Sequence, residues 1–527
     1  MKAWATRVMA AIAYLGMLLV DLPAASAQAA PDTVIWQTTC RFKLPDEPRL
    51  KCGIFYVLED RSKPQGRMLQ LPVYVLPALD APAAPDPLAV IVGGGRMSAT
   101  ASLPLYAASR PLRKNRDLVL LEVRGTGVAQ PSLTCGGADI EDIPALRRCF
   151  AEYTRQGVDL ERYDDAHVAA DFAHLRQALG YASWNLYGLS QGTFTLWTLL
   201  RNASAGVRSA IFDSPFPPNA DSYRQIELDL NALGSLFTAC SRDTACNSRY
   251  PKLQERYNRL TERVARTPVQ VAGRKIDAYA LHDIVSGAQS NTDRIGRIPA
   301  AVDAAARGQW RRFLRLLPPA HRRYPLPVGF PKDRLQAVGP FLSSTCREDV
   351  PFRSPPQSPL SLQQRWAKPV VAAARQIWEI QRTACEQAWK VRPAPASFHE
   401  PVRSAVATLI LYGEFDAITP RAWAELGAQG MARSTVLAVP ATGHAVIHRE
   451  CPTQLMGHFL DNPTGPFDTG CLARMPPIRW ALFLPDGLAS PNRHHAGFGR
   501  AAVGAREIAA GRERARLHEG AFAVGAQ

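Results

Sequence analysis

Short apolar runs and amphipathic segments alternate over much of the chain. Apolar runs at residues 52–58 and 69–76 flank a turn at 63–66 and predict an opening β hairpin. Runs typical of buried strands follow at 88–92 and 118–123, and each stops at a glycine-rich turn. Strands that end in this way indicate a parallel sheet.

A helix precedes the next predicted strand. Apolar residues recur at helical spacing within 164–179, and a strand follows at 184–187. A helix followed by a strand is half of a βαβ unit, so the pattern predicts an α/β fold with a mostly parallel sheet. The same alternation predicts a helix at 194–200, a strand at 209–212, a strand at 405–412, a helix near 421–428, a strand at 435–439 and a helix near 452–460.

A long insertion interrupts this alternation. Prolines from residue 215 onward end the first α/β part, and residues 219–400 are mainly amphipathic and helical. We interpret 219–400 as a lid domain inserted into a core made of residues 28–218 and 401–471. Residues 472–527 lose periodicity, and we expect them to be mostly disordered.

The N-terminus has the pattern of a secretory signal. Lys2 and Arg7 precede an apolar run at 8–20, and Ala25-Ser26-Ala27 supplies the small residues that signal peptidase needs. The run is shorter than the roughly 20 residues that span a bilayer, so we predict a cleaved signal peptide at 1–27 and no stable membrane anchor. The protein is therefore expected to be secreted or periplasmic.

Ten cysteines in an exported chain favour disulfide bonds. Many pairings are open from sequence, but the cysteines fall into neighbouring couples, and local closure is the simplest hypothesis. No couple has the Cys-x-x-Cys spacing of a redox or zinc site. The predicted pairs are Cys40 with Cys52, Cys135 with Cys149, Cys240 with Cys246, Cys346 with Cys385, and Cys451 with Cys471.

Composition and charge describe an ordinary globular chain. Of its 527 residues 46% are hydrophobic and 20% charged, which supports a large buried core. The net charge of +16 could indicate a nucleic-acid partner. The excess is scattered arginine without a basic helix interleaved with aromatics, so we predict no nucleic-acid binding.

The segment from Gly188 to Gly192 has the pattern Gly-x-Ser-x-Gly. It follows the predicted strand at 184–187 and precedes a helix, which is the context of a nucleophile elbow. The elbow needs glycines at these places because neighbouring Cβ atoms would collide with strand and helix. A tight turn that needs two small residues is the alternative. We predict Ser190 as the nucleophile.

A serine nucleophile requires a base and an acid that orients the base. In an α/β-hydrolase the acid follows the serine and the histidine comes last. Asp416 lies in the loop after the strand that ends at residue 412 and is our predicted acid. Glu414 is the rival, and a turn or capping aspartate is the alternative interpretation.

His444 follows the predicted strand at 435–439 and is our predicted base, with His448 and His458 as rivals. His444 and His448 also have the spacing of a metal pair. Ala445, however, stands where a zinc protease needs glutamate, so we predict no metal and no cofactor.

The oxyanion of a tetrahedral intermediate needs two backbone N–H donors. Gln191, directly after the nucleophile, is expected to supply the first. Gly94 and Gly95, in a glycine-rich loop after an earlier strand, are expected to supply the second. A flexible strand-ending turn is the alternative for these glycines.

Several segments between about Cys40 and Cys471 together form a recognisable pattern. They are Leu121-Glu122-Val123-Arg124-Gly125-Thr126-Gly127, Ala170-Asp171-Phe172, Leu179-Gly180, Trp184-Asn185-Leu186-Tyr187-Gly188-Leu189-Ser190, Cys240 with Cys246, Cys346-Arg347-Glu348-Asp349, and Gly443-His444 before Cys451-Pro452. In these segments the chain resembles secreted α/β-hydrolase peptidases of the tripeptidyl aminopeptidase and prolyl aminopeptidase group. The resemblance implies an α/β-hydrolase fold with an inserted helical lid and hydrolysis of a peptide substrate from its free N-terminus by Ser190, Asp416 and His444.

The elbow and the glycine-rich loop both depart from the pattern of that group. Gln191 stands where the group usually has tyrosine, and the usual Gly-Gly-Pro-Gly loop reads Gly-Gly-Gly-Arg, ending at Arg96. Backbone N–H donors survive either change, so the residues support hydrolysis better than aminopeptidase specificity. A carboxylesterase with the same triad and an inactive binding protein remain alternatives. The oligomeric state stays open.

An exopeptidase must recognise a charged amino group. Burying that ammonium without a partner costs several kcal/mol, so lid carboxylates are expected to face the substrate. Glu348 and Asp349 are our candidates because they follow Cys346, whose predicted bond would hold the segment. Glu227 and Asp229 are the reserve, and a solvated acidic pair is the alternative interpretation of Glu348 and Asp349.

Overall fold

The computed structural model describes residues 30–317, 324–354 and 360–484. The predicted signal peptide at 1–27 and the predicted tail beyond residue 484 lie outside the described residues. The strands are β1 (Thr33–Trp36), β2 (Lys51–Leu58), β3 (Met68–Leu76), β4 (Leu88–Ile91), β5 (Leu118–Leu121), β6 (Trp184–Leu189), β7 (Val207–Asp213), β8 (Val269–Val271), β9 (Arg274–Ile276), β10 (Ala407–Gly413) and β11 (Ser434–Val439).

Nine strands form one sheet in the order β1-β2-β3-β5-β4-β6-β7-β10-β11. Along this order the pairs β1-β2, β2-β3 and β3-β5 are antiparallel. The pairs that follow, from β5-β4 to β10-β11, are parallel. Both β4 and β5 are buried along their whole length, which is why their sequences are continuous apolar runs. The predicted hairpin, now β2 and β3, and the mostly parallel sheet are confirmed.

Helices connect the parallel strands. The helix after the elbow begins at Gln191, three residues before the predicted start at 194, because the turn passes directly from the strand into the helix. The α-helices are α1 (Ala99–Ala108), α2 (Ile143–Arg155), α3 (Asp165–Ala178), α4 (Gln191–Asn202), α5 (Gln225–Arg242), α6 (Thr244–Arg249), α7 (Leu253–Arg266), α8 (Ala278–Gln289), α9 (Ile298–Ala306), α10 (Trp310–Phe313), α11 (Val338–Glu348), α12 (Leu360–Arg365), α13 (Lys368–Gln387), α14 (Arg421–Ala428), α15 (Glu450–Asp461) and α16 (Gly470–Ala473).

Apolar side chains cover both faces of the sheet. Alternate residues of β4 enter different clusters, because successive side chains of a strand point to opposite faces. Ala89 packs in a cluster with Phe172 of α3, whereas Leu88 and Val90 pack in a cluster with Phe459 of α15. The sheet is therefore held between two layers of apolar side chains.

The chain between β7 and β10 is mainly helical and has an apolar cluster of its own. Leu230 of α5, Tyr257 of α7 and Val285 of α8 are fully buried in it. The hairpin of β8 and β9 in this region was not predicted, since its strands are only three residues long and mostly unburied. The division into a core and a lid at residues 219–400 stays a prediction.

The first part of the predicted disordered tail is ordered. After α16 the backbone N–H of Ala481 donates to Gly296, and the Tyr250 hydroxyl donates to the carbonyl of Ala481. Leu484 is buried in the apolar cluster of the helical region. The expectation of disorder is therefore wrong for residues up to 484, because contacts along an extended segment leave no periodic signal in its sequence.

All five predicted cysteine pairs are bonded in the structure. The bond between Cys346 and Cys385 joins the end of α11 to α13.

Within the described parts of the chain, none of the helices combines the length and the apolar character that crossing a membrane requires.

Candidate active site

Ser190 lies at the turn between β6 and α4. Its backbone has φ 53° and ψ −122°, a region that non-glycine residues rarely adopt. The side chain is partly exposed, while the strand before it is fully buried. The strained turn therefore presents the serine hydroxyl at the carboxyl edge of the sheet, as a nucleophile elbow requires.

The glycines of this turn lie where no side chain fits. A Cβ atom on Gly192 would lie 2.2 Å from the carbonyl oxygen of Ile91. A Cβ atom on Gly188 would lie 3.0 Å from the carbonyl oxygen of Gly192. Because strand, turn and helix approach this closely, the sequence pattern reflects a steric requirement of the fold.

His444 and Asp416 form a buried pair at the same edge. The Asp416 Oδ2 atom lies 2.8 Å from Nδ1 of His444, and these residues are 1% and 7% exposed. The backbone N–H groups of Ile418 and Thr419 and the Thr419 hydroxyl also donate to the Asp416 carboxylate. This set of donors holds the carboxylate in one orientation.

The pKa of Asp416 reflects these contacts. Burial raises the pKa, but the charge of His444 and the hydrogen bonds from His444 and Thr419 outweigh burial and lower the pKa below its ordinary value. The carboxylate is thus ionised at neutral pH and accepts from Nδ1. The Nε2 atom of His444 is left as the nitrogen that can take a proton from a serine hydroxyl.

The carboxylates of Glu414 and Asp416 have different partners in the structure. Glu414 is exposed, and its carboxylate accepts from the backbone N–H of Ala441. It therefore supports the loop before His444, whereas Asp416 contacts the imidazole itself. Among the histidines considered, His458 is exposed on α15, and the contact with Asp416 is made by His444.

Asp213, at the end of β7, joins the elbow to the histidine loop and was missed by sequence reasoning. Its carbonyl oxygen accepts from the backbone N–H of Ser190. Its carboxylate accepts from the N–H groups of Val446 and Ile447 and from the Tyr187 hydroxyl. Burial raises the pKa of Asp213. The sequence feature that could have indicated this role is the position of Asp213 as a lone aspartate at the end of a buried apolar strand.

The glycine-rich loop after β4 contacts the elbow. A Cβ atom on Gly93 would lie 2.3 Å from the carbonyl oxygen of Leu189 and 3.0 Å from Cβ of Ser190. The carbonyl oxygens of Gly94 and Gly95 accept from the side chain of Gln336. The loop therefore lies beside Ser190, where the oxyanion prediction requires it. The donor roles of Gly94, Gly95 and Gln191 stay predictions.

The carboxylate of Glu348 is engaged within the protein. Its side chain is 1% exposed and accepts from the backbone N–H groups of Asp165 and Ala166, at the start of α3. Burial and the nearby charges of Asp164 and Asp165 raise the pKa of Glu348 well above its ordinary value. A carboxyl group used in this way caps a helix, which corrects the expectation that it binds an ammonium.

Asp349 is likewise engaged within the protein. It is 9% exposed and pairs with Arg353 at 2.6 Å, and the Ser222 hydroxyl donates to it. This ion pair corrects the expectation that Asp349 awaits a substrate ammonium. Of the reserve residues, Asp229 is buried against His282, and Glu227 is half-buried on α5.

Comparisons with known proteins agree with this architecture. A family model described as alpha/beta hydrolase fold matches residues 99–269, and one described as TAP-like protein matches residues 369–471. The second match contains Asp416 and His444, and the first contains Ser190. No curated protein sequence matches the chain significantly.

Solved structures similar to the chain include three hydrolases. A thermophilic esterase from Thermogutta terrifontis has 15% identity and a TM-score of 0.35, over 78% of this chain and 99% of that chain. A bacterial membrane phospholipase A has 15% identity and a TM-score of 0.34, over 79% and 87%. A proline iminopeptidase from Mycobacterium smegmatis has 14% identity and a TM-score of 0.33, over 75% and 96%. These values are too low to carry an inference about substrate.

The sheet order, the elbow after β6 and the two family matches lead to one conclusion. The chain has the α/β-hydrolase fold, and its C-terminal part is similar to TAP-like proteins.

Proposed function

We propose that this protein is a serine hydrolase that forms an acyl-enzyme on Ser190 and cleaves peptide bonds near a free N-terminus. The observation that carries the proposal is the buried contact of 2.8 Å between Asp416 and His444 at the sheet edge that presents Ser190. The TAP-like match over residues 369–471 supports a peptide substrate.

In the proposed reaction, Nε2 of His444 takes the proton of the Ser190 hydroxyl as its oxygen attacks the acyl carbon. Asp416 holds the imidazole through Nδ1 and stabilises the positive charge that develops on it. The proton then passes to the leaving amine, which departs as the acyl-enzyme forms. Water attacks the acyl-enzyme with His444 again as base, and Ser190 is regenerated.

A carboxylesterase is the second candidate function. It is favoured by the internal contacts of Glu348 and Asp349, which occupy the carboxylates expected to bind a substrate ammonium. An ester substrate needs the same nucleophile, base and acid but no charged recognition of an amino terminus. The two candidates therefore differ in the pocket and not in the chemistry.

A substrate panel tests both candidates. The mature protein is first treated with a fluorophosphonate probe, which should label the wild type and not the Ser190→Ala variant. Turnover is then measured on aminoacyl arylamides, on the same peptides with blocked N-termini and on short-chain esters. Faster cleavage of free than of blocked peptides supports the aminopeptidase. Equal rates on free and blocked peptides, or turnover of esters alone, would reject it.

A further inference from the structure

Asp165 is a buried carboxylate near the elbow that the proposed reaction does not use. It is the first residue of α3, and its side chain is fully buried. The hydroxyls of Thr195, on α4, and Ser344, on α11, donate to it. Three separate helices therefore meet at this one side chain, which is more than capping of its own helix requires.

The carboxylate of Asp165 also contacts both segments expected to supply the oxyanion donors. Its Oδ2 atom lies 2.7 Å from Nη2 of Arg96, the residue that ends the glycine-rich loop. The side chain of Gln191, directly after the nucleophile, donates to the same oxygen at 3.4 Å. One carboxylate thus joins the glycine-rich loop to the start of α4, and the backbone N–H groups of these two segments must converge on one oxyanion.

Arg96 depends on this contact. Its side chain is 5% exposed, and a buried guanidinium is costly without a counter-charge. Its backbone φ of 70° is the left-handed conformation that a non-glycine residue adopts only when its surroundings hold it there. The ion pair with Asp165 therefore fixes the end of the loop that carries Gly94 and Gly95.

The contacts of Asp165 coincide with the unusual features of the sequence. Arg96 and Gln191 are among the positions at which the chain departs from the peptidase group that it resembles, and both side chains converge on Asp165. A loop that ends in arginine and an elbow that continues with glutamine thus share one partner. This convergence explains how the site keeps its backbone geometry with these residues.

We propose that Asp165 is a positioning residue that holds the oxyanion hole together through Arg96 and Gln191. The inference rests on the proposed function, since an oxyanion hole matters only to an active hydrolase. Loss of the ion pair is expected to let the glycine-rich loop shift away from the elbow. Transition-state stabilisation should then fall, while substrate binding in the ground state is largely unaffected.

The test measures turnover per active serine. Wild type, Asp165→Asn, Arg96→Gln and the double variant are assayed on a neutral ester, with active sites counted by fluorophosphonate titration. Each single variant should lower kcat per titrated serine by about 10- to 100-fold and change KM by less than about twofold. The double variant should lose no more than either single variant, because both act through one contact. The double variant removes both charges of the ion pair and leaves neither unpaired. If a single variant does not fold, kcat per titrated serine is therefore still measured in the double variant.

Asp303→Asn is the matched control. Asp303 is a buried carboxylate, 5% exposed, that pairs with Arg256 at 2.6 Å in the helical region. It should lower stability without changing kcat per titrated serine. Two outcomes would overturn this inference and leave the proposed function standing. One is a wild-type kcat per titrated serine in the double variant, and the other is a loss of kcat that Asp303→Asn reproduces. A wild-type protein that neither reacts with the probe nor hydrolyses any substrate would overturn the proposed function together with it.

Discussion

The backbone N–H of Ser190 donates a hydrogen bond of 2.9 Å to the carbonyl oxygen of Asp213. The carboxylate of the same aspartate accepts from Val446 and Ile447, each at 2.9 Å. One residue thereby links the turn that carries Ser190 to the loop that carries His444. The proposed nucleophile and base depend on this residue although it has no chemical part in the reaction.

We expect Asp213→Asn to impair both stability and activity. An amide offers one acceptor oxygen, so one backbone N–H of the histidine loop is left unsatisfied, at a cost of about 1–3 kcal/mol. Urea unfolding and ester turnover measure the two effects. Ser214→Ala is the comparison. It removes a hydroxyl that accepts from the N–H of Ala445 and donates to the Asp213 carboxylate, but it leaves the bonds from Val446 and Ile447 to Asp213 in place and should cost less. Equal stability of Asp213→Asn and wild type would contradict the role of Asp213.

The two candidate acids should differ sharply in their effect on activity. Asp416→Asn removes the charge beside His444 and favours the wrong imidazole tautomer, so kcat should fall by about three to four orders of magnitude. Glu414→Gln should change kcat little, because the Glu414 side chain accepts from the backbone N–H of Ala441 and an amide oxygen can accept the same hydrogen bond. Steady-state kinetics of the two variants decides between them. A larger loss for Glu414→Gln would transfer the acid role.

Replacement of glycine by alanine at the elbow and in the middle of α8 should have opposite effects on stability. Gly192→Ala places a methyl group against the carbonyl oxygen of Ile91, so we expect a stability loss of about 1–3 kcal/mol and loss of probe labelling. Gly287→Ala in α8 meets no atom within 4 Å, and it should gain up to about 1 kcal/mol from helix propensity. Thermal melting and labelling test the pair. Labelling of Gly192→Ala at the wild-type rate would contradict the steric argument.

The charge of Asp164 should stabilise the protein only above acidic pH. Burial raises the pKa of Asp164, but hydrogen bonds from His167 and the charges of His167 and Arg347 outweigh burial and lower the pKa from 3.8 to about 2. Because the folded pKa lies below the unfolded value, the stabilisation is present above 3.8 and is lost as the pH falls towards 2. A shift of this size corresponds to about 2 kcal/mol.

Asp164→Asn tests this dependence, since asparagine keeps the cap on α3 but removes the charge. The difference in unfolding free energy between wild type and variant should be largest near pH 5 and should shrink towards pH 2. Urea titrations across this range measure it. Because both proteins keep the cap, a difference that is constant with pH would contradict the role of the charge.

The disulfides should contribute according to the length of chain that each closes. Cys346 and Cys385 are 39 residues apart, and Cys240 and Cys246 are 6 residues apart. Loop-closure entropy then gives about 4 kcal/mol for the first bond and about 2 kcal/mol for the second. Unfolding of the two paired Cys→Ala variants compares them. A larger loss for the short loop would contradict the entropic explanation.

Features that depend on local sequence could be predicted for this protein. The glycines of the elbow are required by contacts within one turn, and the order of Ser190, Asp416 and His444 follows the order of strands in the sheet. The cysteine pairs were readable because each closes a short segment. Buried strands such as β4 could be predicted from continuous apolar runs, because both faces of such a strand pack against apolar helices.

Only the tertiary structure decided which polar groups meet. Asp416 and Glu414 stand two residues apart in one loop, yet only Asp416 reaches His444. Glu348 caps α3, and Asp165 pairs with Arg96, across long separations in sequence. A carboxylate finds its partner through packing of distant elements, and packing leaves no periodic trace in the residues around it. The local sequence therefore determined the strands, the elbow and the order of the proposed triad, whereas contacts between distant segments determined the partners of each buried charge.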